Sequence, residues 1–346
     1  MYKIFAVYIA VFAAAYTGVK LFLRWSLKRE IIDVPNERSS HTVPTPRGGG
    51  VVICIVSILT LYIYSILQGE SFYFAYFAGA SIVALVSLAD DIRELSPFVR
   101  IVCHGLAAGL TVWAYGGYEW FWIPFYGIVN TGIFGDMIAF LWIVWLINAY
   151  NFMDGIDGIA ATQSITAGIG WFLTGILLGI DGVSFYAGVL AVSSTGFLLL
   201  NWQPAKIFMG DVGSAFLGYS FAVLPLLTIK KVSDSTAASI LPWIGVFLVW
   251  FFVFDSFYTM LKRLFRGAKI WQPHREHIYQ KLVIAGLAHW KVTLVYGFLS
   301  MILVVVLVLA LRNSWSLEKS MIAAAVSETV LLVIFTKLFL RSRDSF

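Results

Sequence analysis

The sequence predicts an all-α polytopic membrane protein with about eleven transmembrane helices. Three observations predict it. Hydrophobic residues make up 60% of the 346, charged residues only 12%, and the mean hydropathy is +0.85. An ordinary globular domain carries about 25% charged residues. The apolar residues come in blocks of about 20, the length a helix needs to cross a bilayer. Those blocks are continuous rather than alternating. That selects helices over a closed barrel, the other structure that satisfies its backbone polar groups in lipid.

The blocks place spans near 4–23, 48–67, 72–89, 98–115, 133–150, 159–179, 184–200, 213–229, 239–261, 291–311 and 320–340. The first reads as a retained span rather than a signal peptide, because no small-residue cleavage site precedes the charged stretch at 24–30. The fifth has the shortest apolar part and carries Asp136 near its start. Cys54 and Cys103 each lie inside an apolar block, which excludes a disulfide framework and a cysteine zinc site. With no internal repeat and no soluble domain, residues 1–346 read as one membrane unit. An odd number of spans puts the termini on opposite sides. Nineteen of the 24 Lys and Arg then fall on one side, with the loops near 25–47, 90–97, 151–158, 201–212 and 262–290, and five on the other. The first side is therefore expected to be cytoplasmic, with the N-terminus out and the C-terminus in. The net charge of +5 is a topology signal in this reading. No aromatic–basic motif of the RNA-binding kind is present, so nucleic acid is not an expected partner.

The polar and glycine-rich clusters gather on that same side, which marks it as the working surface. Asp90 and Asp91 end the third span. Adjacent carboxylates repel unless a cation lies beside them, and Asp at a helix C-terminus opposes the macrodipole. The pair reads as a metal or proton-transfer site, with a polar helix stop as the plainer alternative. Asn148-Ala-Tyr-Asn151-Phe-Met-Asp154-Gly-Ile-Asp157 spaces two Asn and two Asp three apart, on one face if the segment is helical. Such oxygen donors suit Mg2+, which takes one or two carboxylates plus phosphate oxygens. In Lys206-Ile-Phe208-Met-Gly210-Asp211-Val-Gly213-Ser214, glycines flank one Asp ahead of a span. A phosphate would meet that helix N-terminus, with Lys206 on the phosphate and Phe208 on a base. The spacing is not that of a Walker A loop.

His274-Arg275-Glu276-His277, in the longest basic loop, makes an anion clamp; two His without a third ligand are weak grounds for zinc. Ser39-Ser40-His41-Thr-Val-Pro-Thr-Pro-Arg47-Gly48-Gly49-Gly50 opens the second span. Its glycines admit either a phosphate or a neighbouring helix, and spacing alone does not choose. Asp255, ahead of Lys262 and Arg263, is read as joining the site. Glu328 sits mid-span without companions and has no assigned role. His104 and His289 read as structural.

Taken in order over almost the whole chain, these motifs resemble the polyprenyl-phosphate N-acetylhexosamine-1-phosphate transferases, glycosyl transferase family 4. The Ser-Ser-His…Pro-Thr-Pro-Arg-Gly-Gly-Gly form resembles the bacterial O-antigen-initiating branch. The resemblance implies a multi-pass enzyme of the bacterial inner membrane that uses Mg2+, with Mn2+ as a substitute. It would move an N-acetylhexosamine-1-phosphate from a UDP-sugar to undecaprenyl phosphate and release UMP. The product would start O-antigen or another cell-surface polysaccharide, and the sugar would be GlcNAc or a 6-deoxy relative such as FucNAc or QuiNAc. Asn151 and Asp211 would hold the metal, and Asp90 and Asp91 would deprotonate or position the lipid phosphate. Asp154, Asp157 and Phe208 would meet the uridine end, and His274, Arg275 and His277 the diphosphate or sugar. Arg47, Arg100, Asn148 and Lys206 complete the substrate-binding set, with His41 and Asp255 as further candidates.

Arg100 stands in a Ser-Pro-x-x-Arg context where relatives have Lys, and Tyr279 stands where relatives often carry a further His. Membrane lipids are expected partners, and aromatic span faces would suit a homodimer. Direct attack by the lipid phosphate is the expected chemistry, with an aspartyl-phosphosugar route as the alternative. A polyprenyl-lipid flippase is the main rival; it predicts mid-membrane charges and broken helices, and Glu328 is the single mid-span acid.

Overall fold

A computed structural model describes residues 2–35, 43–93, 95–268, 274–313 and 315–344. His41 lies outside the described residues. The chain begins with α1 (Tyr2–Lys28), then β1 (Ile32–Asp33) and β2 (Thr45–Pro46), which pair antiparallel with Ile32 opposite Pro46. Next come α2 (Gly50–Gln68), α3 (Phe74–Arg93) and α4 (Pro97–Tyr115). The start of α4 is capped by the Ser96 hydroxyl, which accepts from Val99 N–H at 3.3 Å, with Pro97 at the first helical position. A hairpin of β3 (Trp120–Ile123) and β4 (Gly127–Asn130) leads into α5 (Ile133–Met153), α6 (Ile159–Leu178), α7 (Asp181–Asn201) and α8 (Asp211–Ile229). The chain closes with α9 (Ser235–Leu248), α10 (Trp250–Phe265), α11 (Ile278–Ile284), α12 (His289–Arg312) and α13 (Leu317–Asp344).

Ten of these helices are long and apolar enough to cross a membrane singly, and α9 with α10 makes an eleventh span bent by 74°. The ninth span, read from sequence as continuous over 239–261, is therefore two helices. The break falls at Val249, where the regular hydrogen-bond ladder is interrupted. Gln163 Nε2 donates to the Leu248 carbonyl at 2.8 Å, and Ser300 Oγ donates to Gln163 Oε1 at 3.0 Å. Trp250 Nε1 donates to Thr329 at 2.8 Å. The Gln163 amide thus satisfies in the interior a backbone carbonyl at the break, and Trp250 ties the start of α10 to α13. The pair still carries the chain from one end of the bundle to the other. Trp243 of α9 donates to Trp122 of the hairpin, while Asp255 of α10 meets the loop leading into α11.

α8 is the hub. Helices α2, α3, α4, α5, α6, α7 and α9 all pack on it, and almost all of its side chains are buried. Its polar groups are satisfied internally: Ser220 lies in a cluster with the Tyr76 and Tyr186 hydroxyls, and Tyr219 pairs with Thr111 at 2.7 Å. Gly50 explains the glycine run that opens α2. A Cβ there would collide with the backbone of Gly213 on α8, so the run admits a neighbouring helix at this point. Gly48 adds a φ of 97°, a conformation that L side chains rarely adopt.

Candidate active site

The loops that carry the polar clusters meet at one end of the bundle, around the start of α8. A β-like clamp joins two of them. Phe208 N–H donates to Pro46 O at 2.8 Å, Gly49 N–H to Phe208 O at 2.9 Å, and Gly50 N–H to Met209 O at 2.8 Å. This clamp sets Arg47 beside Asp211. A cavity of about 190 Å³ opens there, lined by Asp33, Arg47, Asp154, Phe208 and Asp211 among others.

Asp91, at the end of α3, reaches the N-terminus of α8. Its two oxygens accept from Asp211 N–H at 3.0 Å and Val212 N–H at 3.1 Å. The helix N-terminus expected to receive a phosphate is therefore already occupied by a carboxylate, a favourable pairing with the dipole. Arg47 Nη2 lies 2.6 Å from Asp91 and 2.8 Å from Asp211. Asp90, 8% exposed, accepts from Arg100 Nη1 at 2.7 Å and Leu95 N–H at 2.6 Å, and Arg100 lies 3.7 Å from the second oxygen of Asp211. The two adjacent acids thus find the counter-charges their position demands: Arg100 for one, Arg47 and a helix start for the other.

The Asn/Asp series does not share one helical face. α5 ends at Met153, with Asp154 as its C-cap residue, and Gly158 takes a φ of 77°. Asn151 remains on the helix and donates to Ser214 at 3.1 Å, within hydrogen-bonding reach of Asp211. Asn148 lies on the same helix and donates to Val144 O at 2.7 Å, near His104. Asp154 enters the cavity. Asp157 turns away from it, buried, accepting from Ala205 N–H at 3.1 Å and facing His289 at 3.3 Å.

Residues 73–229 match the family model of glycosyl transferase family 4. The probable undecaprenyl-phosphate N-acetylglucosaminyl 1-phosphate transferase of Bacillus subtilis (strain 168) is 32% identical over 289 residues, covering 82% of this chain and 79% of the relative. The chain belongs to the polyprenyl-phosphate hexosamine-1-phosphate transferase family. Two other relatives of this transferase are more distant. The decaprenyl-phosphate N-acetylglucosaminephosphotransferase of Mycobacterium leprae (strain TN) is 29% identical over 84% of this chain and 78% of its own. The phospho-N-acetylmuramoyl-pentapeptide-transferase of Leuconostoc citreum (strain KM20) is 28% identical over 74% of each.

Around the transferase cavity, the loop ahead of α11 forms a second layer. Asp255, fully buried, accepts from Ile278 N–H at 2.8 Å, Tyr279 N–H at 3.2 Å and the Tyr296 hydroxyl at 2.8 Å, and pairs with His277 at 3.3 Å. Asp255 and His277 therefore anchor the loop and do not line the cavity. Tyr279 ties it to α5 by donating to Phe152 O at 3.0 Å. His274, half-buried, lies with its ring 5.0 Å from that of His277 and tilted to it, and burial with the nearby His277 and Arg263 charges pushes its pKa down to about 4. It is a neutral imidazole at pH 7. Arg275 is partly buried beside it, and Lys206 is exposed outside the cavity lining.

Two polar groups in the lining, each at the edge of a cluster read from the sequence, were not among the candidate site residues. Asp33 reaches the cavity because β1 pairs with β2, and nothing in its local sequence signals that pairing. Asn201 closes the floor, accepting from Gly158 N–H at 2.9 Å and donating to Ile207 O at 2.8 Å. Its position directly before the Lys206–Ser214 motif was the available clue.

The electrostatics of the site favour a divalent cation. Among the described residues the carboxylates of Asp33, Asp90, Asp91, Asp154 and Asp211 outnumber the guanidiniums of Arg47 and Arg100. Asp90 and Asp211 lie within hydrogen-bonding reach of each other. Desolvation, and then Asp211, Asp91 and Asp157, push the Asp154 carboxyl well above the usual range against the opposing pull of Arg47. Burial lowers and the carboxylates of Asp211, Asp91 and Asp33 raise the Arg47 guanidinium, and the carboxylates win. Among the described residues no three His, Cys, Asp or Glu converge as a ready-made metal cage. Mg2+ does not need one, because it keeps several waters and takes one or two carboxylates together with substrate phosphates. The donor set fits such an ion.

Proposed function

We propose that this protein transfers an N-acetylhexosamine-1-phosphate from a UDP-sugar to undecaprenyl phosphate, releasing UMP, at the cytoplasmic face of the membrane. The observation that carries the reading is the meeting of Asp211, Asp154, Arg47, Arg100 and Phe208 at one end of a membrane bundle. A soluble anionic donor and a phosphate on a membrane-bound lipid can both reach that place. The charge balance supports Mg2+ on Asp211, with Asn151 beside it, where the ion would supply charge for the donor diphosphate. Arg47 and Arg100 offer planar forks to phosphate oxygens. Phe208 offers a stacking face to a base.

A phosphate monoester has its second pKa near 6, so the lipid phosphate is largely a dianion at neutral pH. Asp90 and Asp91, both held by Arg side chains and backbone N–H groups, read better as positioning groups than as bases. The lipid phosphate oxygen attacks the sugar-proximal phosphorus; the bond from that phosphorus to the bridging oxygen breaks, and UMP departs. One phosphoanhydride forms as another is lost. The relatives' names support GlcNAc as the sugar; an O-antigen destination rests on the resemblance of the Ser39–Gly50 loop alone.

The test is UMP release by purified protein given undecaprenyl phosphate, Mg2+ and one UDP-sugar at a time, with and without EDTA. Release that needs both lipid and metal, and drops at least about 100-fold in Asp211→Asn, is the expected result. Folded protein releasing no UMP from any UDP-N-acetylhexosamine would move the flippase reading to the front.

A further inference from the structure

Arg47 and a divalent cation want the same carboxylate. Arg47 Nη2 lies 2.8 Å from Asp211 Oδ1, and the cation assigned above would take Asp211 as its protein ligand. Two positive groups on one carboxylate repel each other strongly at contact distance, so the cation's arrival loosens the hold of Arg47. The surroundings of Arg47 show which part can yield. Its backbone is pinned on both sides by the hydrogen bonds of Pro46, Gly49 and Gly50 to Phe208 and Met209. Its side chain is 35% exposed and lines the cavity. Its other partner, Asp91, is a fixed post, because both Asp91 oxygens accept from backbone N–H groups of α8.

We propose that Arg47 is a positioning residue that exchanges with the divalent cation on Asp211, pivoting on Asp91 and turning its fork to a substrate phosphate. The idea rests on the cation reading of Asp211. In this scheme Arg47 shields the carboxylate pair from each other's charge and is carried by the cation's arrival into contact with the donor. A guanidinium suits the task, since its planar fork keeps one hydrogen bond on Asp91 while the other changes partner. A Lys ammonium, a point charge on a flexible stem, lacks that planar array of donors.

The exchange makes an unusual demand on cation affinity. A residue that simply supports the site would weaken cation binding when removed. A residue that competes with the cation would strengthen it. The measurement is Mn2+ binding to the full-length protein in detergent, without substrate, read from the loss of the free-ion signal in electron paramagnetic resonance. Arg47→Gln should bind Mn2+ about tenfold more tightly than wild type, while its turnover at saturating Mg2+ falls. Arg47→Lys, the variant less prone to disturb folding, should bind Mn2+ within about threefold of wild type and still lose turnover. Equal or weaker Mn2+ binding by Arg47→Gln, in protein that keeps the wild-type elution profile, overturns the exchange. Stoichiometric binding absent from both wild type and Arg47→Gln, with UMP added as well as without it, overturns the cation reading itself, a separate result.

Discussion

Asp154 sits among the other carboxylates of the cavity. Desolvation comes first, followed by the Asp211, Asp91 and Asp157 charges, and together they hold its carboxyl well above the ordinary value. The folded protein therefore binds this proton more tightly than the unfolded chain. The stability that the proton contributes is fully present below the unfolded value of about 4 and is lost as pH rises toward the raised folded value. In EDTA, the melting temperature of the detergent-solubilised protein should fall as pH goes from about 5 to about 8. Asp154→Asn should flatten that slope, and Mg2+ should restore more stability at the alkaline end. A slope unchanged in the variant would assign the effect to other carboxylates. At this scale the sequence was partly legible. Asn151, Asp154, Phe208 and Asp211 announce themselves by chemistry and clustering. Asp157 looked equivalent to Asp154 because residue spacing does not reveal where α5 stops, and the turn through Gly155 and Gly158 sends the two carboxylates in different directions.

Among the elements, α10 and α11 depend on one buried acid. Asp255 gathers the first two N–H groups of α11, the His277 ring and the Tyr296 hydroxyl. Asp255→Ala would strand these donors, at about 1–3 kcal/mol for each group left buried without a partner. The variant should melt several degrees lower and admit protease between residues 274 and 281, with UDP-sugar KM raised more than kcat is lowered. A variant that keeps wild-type melting and protease resistance would remove Asp255 from its anchoring role. Its placement on the ninth span was legible; its partners were not, because they come from α11 and α12. The bend between α9 and α10 was equally hidden. Hydropathy registers length and apolarity, and the visible breaker, Pro242, lies inside α9, seven residues before the break.

For the molecule as a whole, apolar blocks of spanning length were enough to place the helices, since in lipid such blocks have few alternatives. Their packing order around α8 was not written in any local pattern, because the buried and the outward faces of the spans are both largely apolar. The side on which the site opens is a prediction from the Lys and Arg distribution. A single cysteine at Lys206 should react with a membrane-impermeant maleimide only after cells are permeabilised. One at Phe125, the exposed tip of the outer hairpin, should react without that step. The reverse pattern would invert the topology and put the cavity out of reach of a cytoplasmic donor.

The burial of α8 has one more consequence. A bilayer thicker or thinner than the protein's apolar belt exerts its mismatch on the helices that touch lipid, tilting or kinking them. Here those are peripheral elements such as α1 and α13, whose side chains are largely exposed. Asp211 begins a helix packed against seven others, and Gly213, two residues on, lies so close to Gly50 of α2 that a Cβ there would collide. The carboxylate that the chemistry turns on is thus mounted on the part of the protein least able to feel which membrane surrounds it.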